Sequence, residues 1–97
     1  MTNISVFNIL EQLIACQSVT PNDDKCQIII ADYLSKLGFE IKHIKHDDVV
    51  NLIAKYGTGK PTLAFVGHTD VVPVGDINEW ESNPFKLSKV DNKLFGR

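Results

Sequence analysis

The 97-residue chain has little that would tie it to a membrane, an oxidising compartment or a nucleic acid. No apolar run approaches the roughly 20 residues needed to cross a bilayer, which excludes a spanning helix. Met1-Thr2-Asn3-Ile4-Ser5 has neither the basic start nor the long apolar stretch of a secretory signal, so a cytoplasmic location is expected. Cysteine is scarce. Cys16 and Cys26 have no Cys-x-x-Cys spacing and sit in helical surroundings, which argues for buried free thiols over a disulfide or metal role. Basic charge is not in excess either: the net charge is −2, with lysines scattered from Lys25 to Lys93. No positive stripe is present to neutralise a phosphate backbone, and nucleic acid is not an expected partner. What remains is an ordinary globular composition, 43% apolar and 23% charged, enough for the core of one small domain.

Periodicity divides the chain into short elements. Val6, Ile9, Leu10, Leu13 and Ile14 recur at helical spacing behind a cap at Asn3 or Ser5. Gln17 to Asn22 breaks that helix. Cys26, Ile29, Ile30, Tyr33, Leu34 and Leu37 predict a second one, stopped by Gly38. Phe39 to Lys45 alternates apolar and polar residues and reads as a strand, with Val49 to Tyr56 as its partner across a His46-Asp47-Asp48 turn. Gly57 to Pro61 is a further turn. Leu63-Ala64-Phe65-Val66 is apolar on successive residues, which predicts a strand covered on both faces. After Pro73 a long loop follows, and Lys86–Val90 and Lys93–Phe95 flank Asp91-Asn92 as a tight hairpin. Gly96-Arg97 follows a strand directly and reads as a cut in a longer chain.

His68-Thr69-Asp70-Val71-Val72-Pro73 carries the chemistry. A neutral imidazole is a good zinc ligand when one ring nitrogen faces the metal and an acceptor holds the other. Residues two apart on an extended segment share a face, about 6.5 Å from each other, so the Asp70 carboxylate can reach the ring N–H of His68. The pair follows the expected Leu63–Val66 strand, and in open α/β sheets ligands bind in the crevice outside strand carboxyl ends. These residues read as half of a metal site.

The surrounding residues extend that reading. Ser18-Val19-Thr20-Pro21-Asn22-Asp23, with Cys26-Gln27 and Leu37-Gly38-Phe39, resembles the first two helices and joining loop of the dinuclear zinc aminoacylase and carboxypeptidase family. Gly67 to Pro73, then Gly75-Asp76, Trp80, Asn83-Pro84-Phe85 and Leu94-Phe95-Gly96-Arg97, is similar to that family's first metal-site block. The first of these segments favours the desuccinylase branch. The resemblance implies an α/β fold in which residues 1–97 are the amino-terminal portion of a three-layer α/β/α catalytic domain with a mixed sheet. It implies that His68 is a ligand to one of two zinc ions, with cobalt able to substitute, and that Asp70 acts in the catalytic centre by orienting the His68 ring. It further implies a zinc-dependent amide hydrolase of the lysine and diaminopimelate route, acting on a small N-succinyl amino acid as a cytoplasmic homodimer. In relatives the bridging aspartate follows a Gly-Arg-Gly segment. The resemblance therefore implies that this aspartate, the glutamate base, the other ligands and the dimerisation domain lie past Arg97, and that the chain alone is inert.

Other candidates take plainer readings. Trp80 and Phe85 are loop-packing anchors, and Pro73 and Gly75 shape the loop. His43 and His46 lie three apart, on opposite faces of a strand, and read as exposed turn residues rather than a second metal cluster. Gly57-Thr58-Gly59-Lys60 precedes a strand where a phosphate-binding loop requires a helix. Two rival functions stay open: a related deacylase or dipeptidase of the same family, and a metal-free binding module.

Overall fold

The computed structural model describes residues 5–97. Helix α1 spans Val6–Ala15. Its half-buried side chains are Ile9, Leu10, Leu13 and Ile14, as the periodicity predicts, but Val6 is 80% exposed and belongs to the solvent face. Ser5 is the N-cap by backbone alone, its carbonyl accepting from Ile9 N at 3.1 Å and its side chain making no cap bond. Asn3, the other cap candidate, lies outside the described residues.

Helix α2 spans Cys26–Lys36 and packs on α1. Asp23 prepares its start: Oδ2 accepts from Gln27 N at 2.9 Å and its carbonyl from Cys26 N at 3.2 Å, placing a carboxylate at the positive end of the helix. Gly38, at φ +93°, ends it. Gly38 N donates to the Ser35 carbonyl and Phe39 N to that of Leu34, each at 3.0 Å, which is the paired bonding of a Schellman cap.

Strands β1 (Glu40–His46) and β2 (Val49–Lys55) form an antiparallel hairpin in which Glu40 pairs with Lys55 and His46 with Val49. The strand runs one residue further than expected. His43 and His46 are therefore exposed strand residues, and the turn is confined to Asp47-Asp48, with Asp47 at φ 52°. Along β2, Val50, Leu52 and Ala54 are half-buried while the residues between them are exposed, and α2 packs on this hairpin. Phe39 and Tyr56 brace its open end, with ring centroids 5.3 Å apart. A second hairpin, β3 (Ser88–Val90) and β4 (Lys93–Phe95), turns through Asp91 and Asn92 at φ 50° and 63°. Two positive φ values at the central positions match the right-handed strand twist.

The expected strand over 63–66 does not form. Leu63, Phe65 and Val66 are 80%, 91% and 97% exposed, and no strand pairs with them among the described residues. A strand consists of ladder hydrogen bonds to a neighbour, and an apolar run without that neighbour stays irregular. The two-sided cover inferred from composition is absent for the same reason. The architecture is thus α/β, with two helices on a hairpin, a second hairpin, and one isolated parallel bridge, Val19 to Val71. The described residues do not form the three-layer arrangement with a mixed sheet. Among the described residues the buried set is small: Cys16, Ser18, Cys26, Pro84 and Leu87. The radius of gyration, 15.6 Å, exceeds the roughly 13 Å of a compact domain of a hundred residues, consistent with so little core.

Candidate functional site

Ser18, Val19 and Thr20 run alongside Thr69, Asp70 and Val71. Val71 N donates to the Ser18 carbonyl at 2.8 Å and Thr20 N to the Val71 carbonyl at 2.9 Å, so two backbone bonds hold the segments in parallel. Side chains reinforce them. The Ser18 hydroxyl, 3% exposed, donates to the Thr69 carbonyl at 2.8 Å, and the Thr69 hydroxyl donates to Asp23 Oδ1. On the other side, the Arg97 guanidinium donates to the Val72 and Pro73 carbonyls, and Arg97 N to the Pro84 carbonyl at 2.9 Å. Arg97 also lies 5.8 Å from the Trp80 ring centre, and Trp80 Nε1 donates to the Val74 carbonyl at 2.9 Å. Trp80 is the loop anchor its sequence context predicts.

The described structure brings His68 and Asp70 together. His68 Nδ1 lies 2.9 Å from the Asp70 backbone carbonyl and 3.2 Å from Asp70 Oδ1. Both partners only accept, which places a proton on Nδ1, so in the neutral ring the lone pair is on Nε2, where no protein group meets it among the described residues. The imidazole is 82% exposed and the Asp70 side chain 38%. The nearer acceptor is the carbonyl rather than the carboxylate, a detail that residue spacing alone does not contain. The shortest bond to the Asp70 carboxylate comes from elsewhere: Thr20 Oγ1 donates to Oδ2 at 2.6 Å. That hydroxyl also lies 3.2 Å from the Val71 carbonyl, and the closer, charged oxygen takes its proton. The Thr20 hydrogen bond is the main cause that holds Asp70 below the usual carboxylate range; desolvation opposes it, and Asp70's own backbone and His68 add to it.

A cavity of about 420 Å³ opens beside the pair, bounded by Thr20, Gln27, Ile30, Asn51 and Leu52 as well as His68 and Asp70. That volume lies in the range of small-molecule sites. Gln27 reaches across its base, donating from Nε2 to the Val50 carbonyl at 2.5 Å. A second cavity of about 280 Å³ reaches the same residues from the side of α1, Phe85 and Arg97.

The donor set fits one ligand of a zinc centre: a neutral imidazole with its tautomer set and its second nitrogen open. A catalytic zinc takes three protein ligands, and among the described residues no group of three histidines, cysteines or carboxylates could hold a metal. Cys26 lies apart from this chemistry. Burial pushes its thiol up to about 11, with the Ser18 hydroxyl pulling partly back, so it is a protonated core group. His43 and His46 stand on β1, paired with Leu52 and Val49 of the larger cavity's wall, but neither of them bounds that cavity. Thr20, Ser18, Asp23 and Arg97 were not singled out as site residues from sequence. The available signal was a hydroxyl at alternate positions, Ser18 and Thr20, in an otherwise irregular segment.

No protein-family model matches the chain. It is 46% identical over 93 residues to a protein named succinyl-diaminopimelate desuccinylase from Shewanella pealeana, covering 96% of this chain and 24% of that protein. Proteins of the same name from Herminiimonas arsenicoxydans and Pseudoalteromonas atlantica are 49% identical over 89 residues and 46% identical over 92. These alignments cover 92% and 95% of this chain and again 24% of each relative. The chain is a sequence relative of the succinyl-diaminopimelate desuccinylases and spans about a quarter of the length of those it matches.

Proposed function

We propose that the chain is the amino-terminal part of the catalytic domain of a zinc-dependent amide hydrolase that cleaves N-succinyl-LL-2,6-diaminopimelate to succinate and LL-2,6-diaminopimelate. The observation that carries the reading is the His68–Asp70 pair, with its proton on Nδ1 and Nε2 open beside a 420 Å³ cavity, in a chain 46–49% identical to proteins named for that reaction. In this reading His68 is a ligand to one of two zinc ions and Asp70 fixes its ring. The chemistry that zinc supplies when bound is activation of a water and polarisation of the amide carbonyl. This chain's own part is to hold one imidazole at the cavity wall in the right tautomer.

The remaining ligands, the general base and a dimerisation domain belong, in this proposal, to the rest of a cytoplasmic homodimer built on a three-layer α/β/α domain. The exposed run 63–66 supports that architecture, because its apolar side chains have the composition of a strand buried on both faces. With one imidazole and no completing ligands, the 97-residue chain by itself is expected to be inactive.

The test is hydrolysis by the full-length protein of succinylated diaminopimelate against N-acetylornithine, with and without zinc. The succinylated substrate is expected to be preferred, and His68→Ala to lower zinc-dependent kcat/KM by at least about a hundredfold, the upper end of what losing a mere supporting partner costs. Preference for acetylornithine overturns the substrate assignment in favour of acetylornithine deacetylase. Chelator-insensitive behaviour with no hydrolysis of either points to the binding-module alternative.

A further inference from the structure

We propose that Thr20 is a positioning residue, whose hydroxyl orients the Asp70 carboxylate so that the His68 proton stays on Nδ1 and Nε2 remains available. The proposal rests on the metal-ligand reading of His68. The His68 ring is 82% exposed, and its hydrogen bonds both run to Asp70. Its orientation is therefore only as well defined as that residue. The Asp70 side chain is itself 38% exposed, and a carboxylate with that much access to water rotates unless a second group holds it. Thr20 is that group. Its hydroxyl takes Oδ2 at 2.6 Å, which turns Oδ1 toward the imidazole at 3.2 Å. One carboxylate is thus divided between two donors.

Thr20 can do this because its own position does not depend on Asp70. Its N–H donates to the Val71 carbonyl at 2.9 Å, and Val71 N returns a bond to Ser18 at 2.8 Å. The β-branched side chain then has few rotamers with which to move away. The order of control runs from the Val19–Val71 bridge to Thr20, to Asp70, to the ring. Ser18 provides the contrast: its hydroxyl goes to the Thr69 carbonyl and supports backbone rather than the carboxylate.

The experiment uses the full-length protein labelled with ¹⁵N-histidine, the His68 signal being assigned through His68→Gln. Wild type is expected to show a protonated Nδ1 and a bare Nε2, with Nε2 moving when zinc is added. In Thr20→Val the two nitrogens become averaged between tautomers, and zinc affinity falls about tenfold, the lower end of the effect of losing a supporting partner. Thr20→Ser restores both. On an Asp70→Ala background, Thr20→Val has no further effect. Thr20→Ala serves the same readouts if the valine variant does not fold. The proposal is overturned by a wild-type tautomer in Thr20→Val, by equal impairment in Thr20→Ser, or by an effect that persists without Asp70. Zinc that leaves wild-type Nε2 unmoved sinks the metal-ligand reading, while the metal-free Nδ1 signal still decides whether Thr20 holds the tautomer.

Discussion

Residues 63–66 and 69–71 are close neighbours in sequence and behave in opposite ways. The first run is apolar throughout, yet Leu63, Phe65 and Val66 are 80–97% exposed and unpaired among the described residues. The second contains a threonine and an aspartate, yet two backbone and three side-chain hydrogen bonds tie it to residues 18–23. Hydrophobicity marks where a strand could be buried. Hydrogen-bonded partners decide where extended chain is actually held, because each unpaired N–H and C=O has water as an equally good alternative. The site residues follow the second rule. His68 is placed by the anchored end of the stretch and not by the bare end.

Three residues test that contrast: Cys26, Ser18 and Phe65. Cys26, 2% exposed and with its thiol directed at the Leu13 carbonyl at 3.9 Å, belongs to the buried side. With the thiol raised from 9.0 to about 11, iodoacetamide at pH 8 is expected to alkylate it about a hundredfold more slowly than in urea-unfolded chain, following the thiolate fraction. Because the folded-state value is the higher one, this group's contribution to stability is fully present below pH 9.0 and is lost as pH rises through about 11. Urea midpoints across that window, compared with Cys26→Ala, check the sign. A midpoint that rises with pH would contradict the burial.

A smaller effect is expected when Ser18→Ala removes the buried hydroxyl under Thr69, costing about 1 kcal/mol in urea unfolding. A change indistinguishable from zero would mean that the backbone bridge alone anchors the segment. The smallest belongs to the bare run. Phe65→Ser in the 97-residue chain is expected to shift stability by less than about 0.5 kcal/mol, as at other exposed sites. In the full-length protein the same change is expected to cost about 3 kcal/mol or more if 63–66 becomes a strand covered on both faces. Equal, small effects in both would remove the support this run lends to a three-layer domain.

Much of the fold was legible because the signals were local. Gly38 stops α2 through a motif defined by the residues beside it, and Asp91-Asn92 turns the second hairpin through φ values those side chains tolerate. The His68–Asp70 pairing was legible for the same reason, since an extended chain brings residues two apart to one face. Thr20 and Arg97 were not, because they meet this stretch from 50 and 25 positions away.

The amino-acid sequence by itself determined the two helices, both hairpins, the kinship with the desuccinylases and the imidazole–carboxylate pair. Each of these depends on residue order over a few positions or on similarity along the chain. Only the tertiary structure decided that Leu63–Val66 stays unpaired, that the Asp70 carbonyl is the nearer acceptor for His68, and that Thr20 takes the other side of the carboxylate. Those outcomes depend on which distant segment comes to lie alongside, and a hydrogen bond reports that neighbour only once both partners are in place.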